Sequence, residues 1–193
     1  MTLEFRKREQ VEIAVVDLIE DYGVVDYPID IFALAAKMGV PVHSYEKMPP
    51  HVKALAELVS LDAFGTNNSS FTDPRIYLRT CVSPSSRAKF SLEHEIGHVW
   101  LEHNDNSTEA EAEADYFSGY LLAPHPLFIA KGLLRNEIAQ AFAISSWSAE
   151  IAYNQAMDRM KYGPRGWKTH ELRLLSLLNA SSNPMDRPIR KGA

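Results

Sequence analysis

The chain has 193 residues, 46% of them hydrophobic, with 20 Lys and Arg against 25 Asp and Glu and a formal net charge of −5. That length can bury one core of ordinary domain size with a small annex. No apolar run reaches the ~20 residues of a membrane span, the start from Met1 to Glu9 lacks an apolar signal core, and one cysteine cannot form an internal disulfide, which excludes a membrane or disulfide-stapled design and points to a soluble cytoplasmic protein.

In chain order, Val11, Val15, Leu18 and Ile19 recur with a helical period and predict a helix over 4–22, which Gly23 can close. A second helix is expected over 28–38 with Pro28 in its first turn, followed by a short strand from Val40 to Tyr45. Pro49-Pro50 breaks the chain, and 51–58 reads as helical or irregular. Residues 59–64 and 75–82 read as two strands joined by the polar turn Thr66-Asn67-Asn68-Ser69-Ser70. This hairpin should form a small sheet beside the next helix. Residues 75–82 are the candidate edge strand for pairing with an extended peptide through main-chain hydrogen bonds.

The next helix, expected from Pro84 to His103, carries His94-Glu95-Ile96-Gly97-His98. Residues four apart share a helix face, so His94 and His98 can bind one zinc from the same side. Glu95 can then take a proton from a water on that zinc. Two surface histidines on a helix are the bland alternative. Gly97 between the two ligands suggests that another backbone approaches closely there. His103 lies off the ligand face and is expected to be exposed. Glu93 adds a negative charge beside the site.

After a turn at 105–108, Thr108 can cap a helix rich in alanine that stops at Pro124. Glu111 and Asp115 share a face of it. A catalytic zinc takes three protein ligands and keeps one open position, and His, His, Glu is one such set. Glu111 would be the third ligand, and Asp115 would accept the free N–H of a ligand histidine and fix its tautomer. Glu113 is the rival ligand; it lies about 200° around the helix from Glu111, so both cannot face one metal. Glu109 reads as a solvated surface residue.

Beyond Pro126 the segments 138–142, 144–148 and 151–160 read as helix, turn, helix, but basic residues do not gather on the second helix, which favours a helical cap over a DNA reader. Residues 163–169 form a loop, 172–178 a last helix, and the tail from Asn179 is expected to be disordered. Residues 126–193 carry a net +5 and the remainder −10. That asymmetry suggests an anionic contact such as nucleic acid, ordinary unevenness being the alternative. The domain organisation expected is a core over 1–125, a helical C-terminal subdomain over 126–178 and a basic tail over 179–193.

Two helices carrying such ligands look like the gluzincin arrangement. The closer resemblance is to the ImmA/IrrE family of metallopeptidases. It rests on the lead-in Arg87-Ala88-Lys89-Phe90-Ser91-Leu92-Glu93, on His94 to His98, on Glu111 to Phe117, and on Leu121-Leu122-Ala123-Pro124. Weaker similarities lie at Tyr27 to Ile31 and Ile138 to Ser145. Glu93 departs from the family, which more often has a small residue there. The resemblance implies an α+β, mostly helical, zincin-like core with a small mixed sheet beside the motif helix. It also implies one zinc per chain and an endopeptidase that cleaves a helix-turn-helix repressor, releasing genes for mobile-element transfer, DNA-damage response or anti-phage defence. Single-stranded DNA is a candidate activator through the basic C-terminal third.

Three points stay open in the sequence. The group that stabilises the oxyanion could be Tyr116, Tyr120 or His125, with core packing the alternative for the tyrosines. Cys81 could reach the open zinc position as an inhibitory thiolate, or simply be a small buried residue. A non-catalytic zinc-containing sensor or binding module competes with the enzyme. Structural zinc sites are usually closed by four ligands, however, and such a site has no use for Glu95.

Overall fold

The structure, a computed structural model, describes residues 3–66, 74–80, 85–105 and 107–178. Helix α1 (Phe5–Asp21) buries Val11, Val15, Val16, Leu18 and Ile19, the apolar positions of the helical repeat. Helix α2 (Ile31–Lys37) starts later than the sequence suggests. Asp30 caps it by accepting from the Ala33 N–H, so Pro28 lies outside the helix rather than in its first turn. Strand β1 (Val42–Ser44) leads into a single 3-10 turn (Tyr45–Lys47), then α3 (Pro50–Val59), β2 (Ala63–Thr66) and β3 (Arg75–Leu78).

The sheet has the order β1-β3-β2. Strand β2 pairs antiparallel with β3, Ala63 opposite Leu78 and Thr66 opposite Arg75. Strand β1 pairs parallel with the other side of β3, Val42 opposite Ile76. This overturns one expectation. The described part of the 75–82 segment, β3, is the centre of the sheet and has no edge to offer; among the described residues β2 is the edge next to the motif helix. The parallel partner comes from a segment 34 residues upstream, Val42 facing Ile76, and hairpin signals cannot show such a pairing.

Helix α4 (Ser86–Trp100) is capped by Ser85, which accepts from the Ala88 N–H, and packs against β2 and β3. Its inner face holds Ala88, Leu92, Glu93, Ile96 and Gly97, all buried. It ends before His103 because Glu102 turns left-handed at φ 56°, and the His103 N–H then donates back to the His98 carbonyl at 3.0 Å. Helix α5 (Thr108–Leu122) is capped one residue earlier than expected, by Ser107, whose hydroxyl accepts from the Ala110 N–H.

At Gly97 helix α4 comes close to α5. A Cβ there would lie 3.0 Å from Phe117 Cδ1 and 3.4 Å from Ala114 Cα. The glycine costs about 1 kcal/mol of helix propensity and provides that approach.

The chain divides into two compact units, residues 1–14 with 30–118 and residues 15–29 with those from 119 on; the divisions fall inside α1 and α5. The first unit contains the sheet and α4. The second contains α6 (His125–Lys131), α7 (Arg135–Ala141), α8 (Ser146–Tyr162) and α9 (Thr169–Leu178). Within it Glu171 is fully buried and accepts from Arg159 Nε and Nη2 and from the Lys168 N–H at 2.6–2.7 Å. Burial alone would raise this carboxyl, but the hydrogen bonds from His125, Arg159 and the Lys168 N–H outweigh it and hold it down to about 2. Among the described residues no helix is long and apolar enough to cross a membrane. The segment from Asn179 on lies outside the described residues.

Candidate metal centre and active site

Helix α4 presents His94 and His98 one turn apart, and α5 brings Glu111 against them. His94 Nε2 and His98 Nε2 lie 3.0 Å apart. Glu111 Oε2 is 3.3 Å from His94 Nε2, and Oε1 is 3.5 Å from His98 Nε2. The edges of a tetrahedron around zinc with N and O ligands are about 3.3 Å, so this triangle fits that ion. Three lone-pair donors converging with no carbon between them make a site that a cation resolves. The histidine side chains are 16% and 12% exposed and Glu111 is 46% exposed, which leaves the open face toward solvent. Among the described residues this is the cluster of metal-ligating groups that can hold an ion.

Asp115, one turn beyond Glu111, takes the other nitrogen of His94: Nδ1 to Oδ1 is 2.9 Å. A proton held there leaves Nε2 free for a metal. Burial would lower the His94 pKa, but the Asp115 hydrogen bond and the charges of Asp115, Glu95 and Glu111 raise it overall. His98 is driven down to about 4, first by burial and then by His94, so its ring is neutral near pH 7 and has a lone pair to give.

Glu95 points from the same helix toward β2. Burial raises its pKa, partly opposed by His94 and by a hydrogen bond from the Gly65 N–H. A Cβ on Gly65 would sit 2.9 Å from Glu95 Oε2, so the carboxylate occupies the space that a side chain would fill. A cleft of about 630 Å³ opens over the site, with β2 along one side, His94, Glu95, His98 and Glu111 in its floor, and Asn104 and Asp105 at its rim.

Some sequence readings change here, those of His103 and Glu93 among them, while Glu109 stays at the surface and Glu113 stays off the cluster. His103 is not exposed: its side chain is 11% accessible, Nδ1 lies 3.0 Å from His98 Nδ1, and Nε2 lies 3.1 Å from Glu113 Oε2. Glu113 faces His103 and Lys7 instead of the ligand cluster. Glu109 pairs with Lys7 at the surface. Glu93 brings little negative charge to the site. It is buried, its Oε2 lacks a hydrogen-bond partner, and burial pushes its pKa well above the usual carboxylate range against a small pull from Lys89. Tyr116 donates to buried Glu12 at 2.7 Å, so its hydroxyl is engaged in the core. Tyr116, Tyr120 and His125 are absent from the described residues lining the cleft. Cys81 lies outside the described residues.

Gly65 and His103 are the residues that sequence reasoning missed. A glycine inside a strand signals a close approach and could have exposed the first. For the second, helical periodicity misleads, because the helix has ended before position 103.

The family model described as the IrrE N-terminal-like domain, Peptidase_M78, matches residues 52–152. The match runs from α3 into α8 and contains every residue of the cluster together with Gly65, His103 and Glu113. No curated protein and no solved structure matches the chain. A match over half of the chain, on the segment that assembles the histidines, the glutamates and the cleft, places this protein in the ImmA/IrrE family of metallopeptidases.

Proposed function

We propose that the chain is a zinc-dependent endopeptidase that cleaves a helix-turn-helix transcriptional repressor, inducing genes under a stress such as DNA damage. The observation that carries the hydrolytic part is the convergence of His94, His98 and Glu111 beside Glu95 at the floor of an open cleft. The repressor as substrate rests on the family resemblance.

In this reading His94, His98 and Glu111 hold the ion, and Asp115 keeps the His94 proton on Nδ1. When bound, zinc polarises the scissile carbonyl and acidifies the attacking water. The Glu95 carboxylate accepts the proton of that water and delivers it to the leaving amine. Its raised pKa suits the second half of this task, since the glutamic acid must persist until the amine departs. The free edge of β2 offers main-chain groups to an extended substrate across the cleft. A purely structural metal site is less well supported, because the cluster supplies three ligand atoms where structural sites commonly close with four.

Incubation of the chain with a candidate helix-turn-helix repressor, followed by mass spectrometry, tests this. Native protein should give one discrete cut that a chelator abolishes, and Glu95→Gln should bind zinc yet cut at least about a thousandfold more slowly. Full activity in that variant would exclude Glu95 as the base. Single-stranded DNA added at low salt should accelerate cutting if it is the signal.

A further inference from the structure

His103 takes no place in the ligand triangle, yet its side chain, 11% accessible, packs against it. The turn that carries it there is unusual. Glu102 adopts a left-handed conformation, uncommon for a residue other than glycine and costing on the order of 1 kcal/mol. The consequence is that His103 folds back over the last turn of α4, its N–H on the His98 carbonyl and its ring 5.0 Å from the His98 ring.

The atoms define a direction for every proton. His98 Nε2 faces the His94 and Glu111 donors, so a metal there must find that nitrogen unprotonated and the ring proton on Nδ1. Nδ1 lies 3.0 Å from His103 Nδ1. Two nitrogens at that distance share one proton, and since His98 supplies it, His103 Nδ1 accepts. The His103 proton is then on Nε2, where it donates to Glu113 Oε2 at 3.1 Å. The Glu113 carboxylate is anchored by Lys7 Nζ at 3.0 Å from α1, outside the segment matched by the family model. His94 reaches its carboxylate directly and His98 reaches one through a second imidazole.

We propose that His103, itself held by Glu113 and Lys7, is the positioning residue that fixes His98 in the tautomer and orientation that bind zinc. The proposal rests on the reading of His94, His98 and Glu111 as a zinc site and adds the residue that prepares one of those ligands. Partners behind a ligand histidine typically contribute ~10–100-fold to metal affinity.

The test uses the full chain, with zinc affinity measured at fixed pH by competition against a chromophoric chelator and apo-protein folding followed by circular dichroism. Asn and Gln divide the two functions of the imidazole. In His103→Asn the side-chain oxygen stands near the place of Nδ1 and can still accept from His98. In His103→Gln the terminal amide stands near the place of Nε2 and can still reach Glu113, but nothing accepts from His98. The expected result is one zinc per native chain, an affinity ~10–100-fold weaker in His103→Gln, and recovery of most of that loss in His103→Asn. Glu113→Ala should weaken zinc in the native background and add nothing in His103→Gln. Affinity within about twofold of native in His103→Gln, no recovery in His103→Asn, or full additivity with Glu113→Ala would overturn the proposal. A native chain that binds no zinc at all would instead remove the metal-site reading and the proposal with it.

Discussion

At the scale of single residues, spacing was enough to bring His94, His98 and Glu111 into one cluster. Positions 94, 98, 111 and 115 are legible because an i, i+4 pair on a regular helix has only one geometry, and both helices are regular where those residues stand. Glu93 shows the opposite case. Its type says charge, but its position on the inner face of α4 puts it in the core, and no periodicity argument reports the resulting desolvation. A carboxyl whose folded pKa is raised gives its full contribution to stability below the unfolded value, near 4.5, and loses it as pH rises through the folded value. The contribution of Glu93 itself should therefore decline from about pH 5 upward. Glu93→Gln, which cannot ionise, should be more stable than native by about 1–3 kcal/mol at pH 8 and close to native at pH 5. Urea titrations at the two pH values check this; an equal difference at both would refute the burial argument.

Among the elements, the helices were readable and the sheet was only half so. Amphipathic repeats and caps located α1, α4 and α5 to within a few residues. The first and third strands were found, but the second runs over Ala63–Thr66 rather than 59–64, because α3 extends to Val59, and the strand order was not legible. The parallel β1–β3 pairing joins segments far apart in the chain and leaves β2, which carries Gly65, at the edge. Strand β2 thus has two tasks: its edge faces the cleft, and its glycine makes room for Glu95. Gly65→Ala places a methyl 2.9 Å from Glu95 Oε2 and must displace the carboxylate. Since a misplacement of about 1 Å can cost ~100-fold in rate, kcat should fall about 10–100-fold. Zinc affinity should stay within roughly threefold, because no ligand moves. Steady-state kinetics beside a chelator titration separates the two effects, and an equal loss in both would show that the strand supports the metal rather than the base.

For the whole molecule, the metal is also a question of stability. A ligand that binds only the folded chain stabilises it by about 4 kcal/mol at a thousandfold excess over its Kd. Zinc should therefore raise the Tm of the apo protein by several degrees, and Glu111→Ala should abolish most of the rise. Differential scanning calorimetry with and without zinc decides this; a rise retained in the variant would place the ion elsewhere. Composition and charge could indicate one modest core and a net −5, but not that Lys7 of α1 would pair with Glu113 over 106 positions, beside the His94, His98 and Glu111 cluster. The contact at Gly97 has one more consequence. With Phe117 and the Ala114 backbone lodged where a side chain would be, α4 and α5 cannot easily spread or close. That contact bears on how closely the two histidines and Glu111 can approach one another. Such a frame measures ionic size: it accommodates small ions that take nitrogen and oxygen at about 2.0–2.2 Å, and it is too tight and too poor in oxygen for calcium, which wants six to eight oxygens at about 2.3–2.6 Å. A missing methyl group thereby becomes a determinant of which metals the chain can use.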